Sequence, residues 1–144
     1  MFTIDASVWV NAESPGEPSQ ADSRAFIHII STRAIPTFVP TLVVPEIAGA
    51  IARVRGDAAL AGRLALALQG LPLGWIALDE SLARTAADLA AAHRLRGTDS
   101  VYAAVALTNN CDLVSLDREH LTRLTGVVRT LTPSAALARL RSSP

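Results

Sequence analysis

Five short apolar runs interrupt a chain that otherwise carries helical periodicity, and this alternation limits the possible folds more than any other feature. The runs fall at residues 2–5, Thr37–Pro40, and residues 75–78, 113–115 and 127–130. Such short, continuously apolar runs suit strands buried on both faces of a sheet. The stretches between them read as helices. Residues 6–11 form a short one, and Pro15, Gly16 and Pro18 then mark a loop. Ser19 is positioned to cap a helix to about Thr32, with Phe26, Ile27, Ile29 and Ile30 on its apolar face. Val43, Ile47, Ile51 and Val54 recur at helical spacing, Pro45 suits a first turn, and Gly56 ends the segment. Further helices are expected at Ala58–Gln69, closed by Gly70, and at Glu80–His93, capped by Asp79. Gly97 breaks the chain, Thr98 or Asp99 opens a helix to about Asn109, and shorter helices follow over 118–124 and 133–140. Strands alternating with helices imply a parallel sheet covered on both faces. In open sheets of this kind ligands sit beyond the carboxyl ends of the strands, so that edge is where chemistry is to be sought.

The 144 residues suit one domain, and a domain of this size buries about two-thirds of its unfolded surface without staples. Cys111 is the only cysteine, which excludes an internal disulfide and multi-cysteine zinc sites and suits a reducing cytoplasm. The opening Met-Phe-Thr-Ile-Asp lacks the basic and apolar regions of a signal peptide. The longest uncharged run, residues 64–78, is interrupted by Gln69, Gly70, Pro72 and Gly74, so no membrane contact is expected. Net charge is zero, so a nucleic-acid ligand would have to be held by local arginines and bound metal rather than by a global field. All 13 basic residues are arginine.

Asp5 ends the first apolar run, Asp117 follows the fourth, and Glu46 and Asp99 stand in the first turns of two helices. In a parallel sheet all these points can face one edge. Taken singly, each acid is explained by capping or by the helix dipole, which is worth about 0.3–1 kcal/mol. Taken together they are not. Two like charges about 4 Å apart repel by roughly 4 kcal/mol at an effective dielectric near 20. A fold gathers four of them only if some are protonated or a cation lies among them. An all-oxygen set suits Mg²⁺ or Mn²⁺, and such an ion supports phosphodiester hydrolysis by activating water and offsetting phosphate charge.

The segments around these acids are Ile4-Asp5-Ala6-Ser7-Val8, Pro45-Glu46-Ile47, Leu95-Arg96-Gly97-Thr98-Asp99-Ser100-Val101-Tyr102-Ala103-Ala104 and Leu113-Val114-Ser115-Leu116-Asp117. In order and spacing they resemble the PIN-domain family, especially the VapC-type toxins of bacterial toxin–antitoxin pairs. Ser100 departs from the alanine commoner in that family. The resemblance implies a three-layer α/β/α PIN-like fold with a central five-stranded parallel sheet over residues 1–141, and a short tail at 142–144. It implies a toxin that is an Mg²⁺- or Mn²⁺-dependent endoribonuclease, inhibited by a small antitoxin protein and assembled as a homodimer. Asp5, Glu46 and Asp99 carry over as metal ligands, and Asp117 as a ligand or an acid acting through water. Ser7 and Ser115 carry over as polar supports that orient a carboxylate or water, or equally as caps. An RNA substrate recognised through unpaired bases points to a structured tRNA or rRNA loop.

The other polar residues read more plainly. Arg94 and Arg96 either contact RNA phosphate or form a solvated loop face. Arg53 lies two turns beyond Glu46 on a similar stripe, where it can balance the acids or touch substrate. His93 reads as a partly buried core histidine, His28 and His120 as lacking a partner at ligand spacing, and Cys111 as a core thiol. Asp79 and Asp112 read as caps, and Trp9 and Trp75 as packing. The absence of lysine excludes P-loop enzymes, receiver domains and haloacid-dehalogenase-type phosphatases. No glycine lies between Asp5 and Asn11, which excludes a dinucleotide-binding turn after the first strand. The remaining alternative is a PIN-like nucleic-acid-binding or interaction module without nuclease activity.

Overall fold

Phe2, Thr3 and Ile4 are all buried, because the strand they form, β1 (Phe2–Ile4), lies at the centre of the sheet with neighbours on both sides. The computed structural model describes residues 1–142. The chain continues through α1 (Ala6–Ala12), α2 (Gln20–Thr32), β2 (Thr37–Pro40), α3 (Val43–Arg55), α4 (Ala58–Gln69) and β3 (Gly74–Ile76). It then passes through α5 (Glu80–His93), α6 (Gly97–Thr108), β4 (Asp112–Val114), α7 (Arg118–Arg123), β5 (Thr130–Leu131) and α8 (Pro133–Ser142). The five strands are ordered β3-β2-β1-β4-β5 and every pairing is parallel. The chain therefore builds outward on one side of β1 and then returns to its other side, leaving a topological switch between β1 and β4.

Helices cover both faces of the sheet, giving the expected three-layer α/β/α architecture. Helix α6 packs on β1, β2 and β4, and is buried without interruption from Ser100 to Ala106. That burial explains its run of Val and Ala, since small side chains let a helix lie close to a sheet. Helix α5 packs on α6, and α2 packs on α1 and α8. Phe26 of α2 meets Phe2 of β1 edge to face, with ring centroids 5.2 Å apart. One hydrophobic cluster extends from Phe2 to Leu137. Asp57 and Asp79 cap α4 and α5 by accepting from the N–H groups of Leu60 and Leu82, each at 2.8 Å. Among the described residues no helix is long and apolar enough to cross a membrane.

Several local expectations change. Ser19 precedes α2 but makes no side-chain cap; it lies in the left-handed region with φ 66°. Ser23 instead ties α2 to α1, donating to Asn11 Oδ1 at 2.8 Å. Gly97 does not break the chain but opens α6, with Arg96 at the cap position. The third strand begins at Gly74, one residue before the expected start, because it pairs opposite Phe38. A Cβ on Gly74 would stand 2.6 Å from the Phe38 ring, so only glycine fits there. The last strand is Thr130–Leu131, not 127–130, because the N–H groups of Val127 and Val128 turn back to the Leu124 carbonyl. The last helix continues to Ser142, two residues beyond its expected end at 140, and residues 143–144 of the expected tail lie outside the described residues.

Phe26 is fully buried, so Phe26→Ala is expected to cost about 3–5 kcal/mol in urea denaturation. Asp88→Ala, at an exposed position on α5, should change stability by less than about 0.5 kcal/mol. A comparable loss at both positions would contradict the core described.

Candidate functional site

The register of β1 against β4 brings the first two acids together. Ile4 pairs with Val114, and the Asp5 N–H then donates to the Val114 carbonyl at 3.0 Å. Asp5 thus leaves the sheet beside Ser115, two residues before Asp117. Its side chain caps α1: Oδ2 accepts from the Ser7 N–H at 3.1 Å and from the Ser7 hydroxyl. Ser7 Oγ accepts in turn from the Leu116 N–H at 3.1 Å, joining the loops that follow β1 and β4. Ser115 Oγ lies 3.2 Å from Asp5 Oδ2 and accepts from the Asp117 N–H at 3.0 Å. Asp117 caps α7 by accepting from the Glu119 N–H at 2.6 Å.

Glu46 and Asp99 reach the same edge differently. Helix α3 leaves the carboxyl end of β2, and α6 runs back toward the start of β4, so both helices begin at the carboxyl edge of the sheet. Neither acid is a cap. Glu46 is inside the first turn of α3 behind Leu42, and Asp99 inside the first turn of α6 behind Arg96. The simple capping explanation therefore holds for Asp5 and Asp117 and fails for Glu46 and Asp99.

Asp5 and Asp99 act on Glu46, and Asp5 and Asp117 act on Asp99. Burial raises the Glu46 carboxyl above its ordinary range; the Tyr102 hydroxyl draws it back, Asp5 and Asp99 push it up, and Thr98 draws it down. Burial also raises Asp99, opposed by His120, reinforced by Asp117 and Asp5, and opposed again by Arg96. Asp99 Oδ2 is buried without a hydrogen-bond partner. A buried carboxylate oxygen left unpaired is costly unless something binds it. Among the described residues, however, no group of three or more His, Cys, Asp or Glu side chains is arranged to hold a metal ion as the side chains stand.

Two residues of this site escaped the sequence reading. Tyr102 is completely buried and its hydroxyl donates to Glu46 Oε2, which pushes the phenol far above its ordinary range through burial and that bond. His120 is completely buried between Ser115 Oγ, 2.9 Å from Nδ1, and the Asp99 carbonyl, 3.0 Å from Nε2. The available signal was spacing: Tyr102 follows Asp99, and His120 follows Asp117, by one helical turn. His120 thus has two hydrogen-bond partners, which the search for ligand spacing in the sequence could not reveal.

Other candidates sort clearly. Arg96 lies close enough to affect Asp99. Arg94 adopts a left-handed conformation, and its carbonyl accepts from Arg123. Arg53 borders a cavity of about 500 Å³ together with Ser7 and Glu46. Cys111 is a buried thiol 3.1 Å from Thr3 Oγ1. Asp112 is not a cap: it lies within β4 and pairs with Arg129 at 2.8 Å and Arg139 at 3.0 Å. Its strand position follows from pairing with Phe2, which the short run concealed.

A doubly covered parallel sheet with acids near its topological switch defines a class of α/β proteins whose ligands bind at the carboxyl edge. The PIN domain model matches residues 2–126, and the chain belongs to the PIN domain family. No curated protein matches it by sequence. Among solved structures it is similar to VapC20 of Mycobacterium tuberculosis, described as a sarcin–ricin loop cleaving toxin: TM-score 0.69, 13% identity, 81% of this chain and 90% of that one. It is also similar to VapBC2 of Rickettsia felis, solved with promoter DNA: TM-score 0.68, 10% identity, 91% and 97% coverage. A toxin–antitoxin complex from Klebsiella pneumoniae aligns with TM-score 0.64, 15% identity and 92% and 98% coverage. At these identities the likeness is one of fold.

Asp99 is raised in the folded protein, so its ionisation opposes folding. That penalty is absent below the ordinary value of 3.8 and grows as pH rises through the raised value. Asp99→Asn is therefore expected to melt above wild type at pH 7 in EDTA. The gap should close as the pH falls below 3.8. Thermal melts across that range check this, and an unchanged or lower melting temperature at pH 7 would contradict the burial and repulsion described.

Proposed function

We propose that this protein is a divalent-metal-dependent endoribonuclease and the toxin of a VapBC-type toxin–antitoxin pair. The observation that carries this reading is the placement of two partly buried acids, Glu46 and Asp99, beside Asp5 at one sheet edge, with Asp117 near Asp99 and a buried oxygen of Asp99 left unpaired. The donor set fits Mg²⁺ or Mn²⁺: it is all oxygen, and Mg²⁺ requires only one or two carboxylates, with waters and substrate phosphate completing the shell. A ready-made protein cage is therefore not needed. Asp5, Glu46 and Asp99 would hold the ion, with Asp117 binding directly or through water. When bound, the ion makes hydroxide available near neutral pH and offsets charge on the attacked phosphate.

The remaining site residues of this chain serve orientation. Ser7 and Ser115 hold Asp5, and Tyr102 holds Glu46. Arg96, Arg94 and Arg53 are the candidates for RNA phosphates, which supply position rather than sequence preference. The fold likeness to a sarcin–ricin loop cleaving toxin supports a structured RNA loop as substrate. The protein is expected to act in the cytoplasm, where such RNA is found.

The similar toxin–antitoxin complexes support a small antitoxin as partner. An apolar groove of about 400 Å³ offers a seat for one of its segments, lined by Trp9, Ile27, Ile47, Leu64, Leu68 and Leu71. Val54 and Leu66 are exposed on α3 and α4, where a second copy of the chain can cover them in a homodimer.

Purified wild type is expected to cleave RNA only with Mg²⁺ or Mn²⁺, and Asp5→Asn or Asp99→Asn to abolish cleavage while circular dichroism remains native. Cleavage that persists in EDTA would end the metal-dependent reading. A folded wild type that binds RNA but never cuts it would instead favour a binding module. Light scattering should report a dimer, and a monomer at high concentration would remove that part of the proposal.

A further inference from the structure

The His120 ring is fully buried, and each of its nitrogens has one partner. A carbonyl oxygen can only accept, so Nε2 carries a hydrogen and donates it to the Asp99 carbonyl. On the other side Nδ1 lies 2.9 Å from Ser115 Oγ, which donates its hydrogen to Asp5 Oδ2 at 3.2 Å and accepts the Asp117 N–H. One imidazole thus reaches three of the acids: Asp99 through its backbone, and Asp5 and Asp117 through Ser115. On the same short helix, Arg123 donates to the Arg94 carbonyl, so α7 fastens the α5–α6 turn at a second point.

This linkage has a clear physical task. Asp5 and Asp117 repel Asp99, and the force tends to drive the start of α6 away from the end of β4. Apolar packing alone resists such a displacement without direction. A hydrogen-bonded ring spanning the gap resists it along the line on which the charges act. We propose that His120 is a positioning residue that ties the start of α6 to the end of β4 and so sets the separation of Asp99 from Asp5 and Asp117. The inference rests on the nuclease reading for its catalytic consequence, but not for the tie itself.

The test compares wild type with His120→Phe, His120→Gln and His120→Asn. Three readouts are used: amide hydrogen exchange, Mn²⁺ binding by electron paramagnetic resonance, and kcat and KM for RNA cleavage. His120→Phe fills the space without either hydrogen bond. It should speed exchange at the amides of Asp117 and Ser100 and leave that of Ile4 unchanged. It should also lower Mn²⁺ affinity and kcat about 10- to 100-fold, as loss of an outer partner does, with KM preserved. Gln reaches the Asp99 carbonyl and Asn reaches Ser115. Each should restore exchange protection on the side it still holds and recover part of the Mn²⁺ affinity. These two variants decide the matter if the Phe variant does not fold. Wild-type exchange and affinity in His120→Phe would reduce the ring to a space filler and overturn the proposal. So would Gln and Asn variants without side-selective protection. Wild type that binds no Mn²⁺ would end the nuclease reading, while the exchange data would still decide the role of His120.

Discussion

The parallel pairing of β1 with β4 is the constraint on which the site depends. It carries Asp5 out of the sheet next to Ser115, with the Asp5 N–H still bonded to the Val114 carbonyl. Side chains on neighbouring positions of a strand point to opposite faces, so a slip of one residue would turn Ser115 away from Asp5 and break the chain of bonds through Ser7, Ser115 and His120. The register is held by burial on both sides: Phe2, Ile4, Leu113 and Val114 are all core residues. Hydrophobic burial thus determines the polar geometry, although no apolar side chain takes part in it.

The site set in this frame works against the stability of its surroundings. Asp99 and Glu46 are held partly buried beside other acids, and both carboxyls are raised in consequence. The offsetting groups are dispersed: two caps at α1 and α7, a phenol on Glu46, an imidazole between two backbone segments, and Arg96 at the edge. None of them neutralises the cluster, which retains an unpaired oxygen. Such retained charge is characteristic of sites that bind something opposite in sign, and the strain is tolerated because the core beneath it is continuous from Phe2 to Leu137.

Much of this was legible in the residues. Thr37–Pro40, Ala58–Gln69 and Glu80–His93 have the bounds that periodicity and caps indicate, because their signals are local. The end strands were misjudged because their limits depend on partners. Gly74 enters β3 through its fit against Phe38, and β5 starts only where the turn after α7 ends. Asp112 looked like a cap because its ion pairs with Arg129 and Arg139 are distant in sequence. The acids were legible as a set through their order and spacing. His120 was not, since a histidine is judged by its neighbours in sequence, whereas one of its two partners comes from a separate helix.

The outermost strands of the sheet are β3 and β5, and they are only three and two residues long. So little free backbone gives an incoming chain almost no ladder to extend, which blunts the usual route to edge-to-edge association and fibre growth. The helical surfaces offer the larger area for contact, and there side-chain shape rather than generic amide pairing governs selection. The brevity of these borders therefore bears on discrimination between partners as well as on solubility.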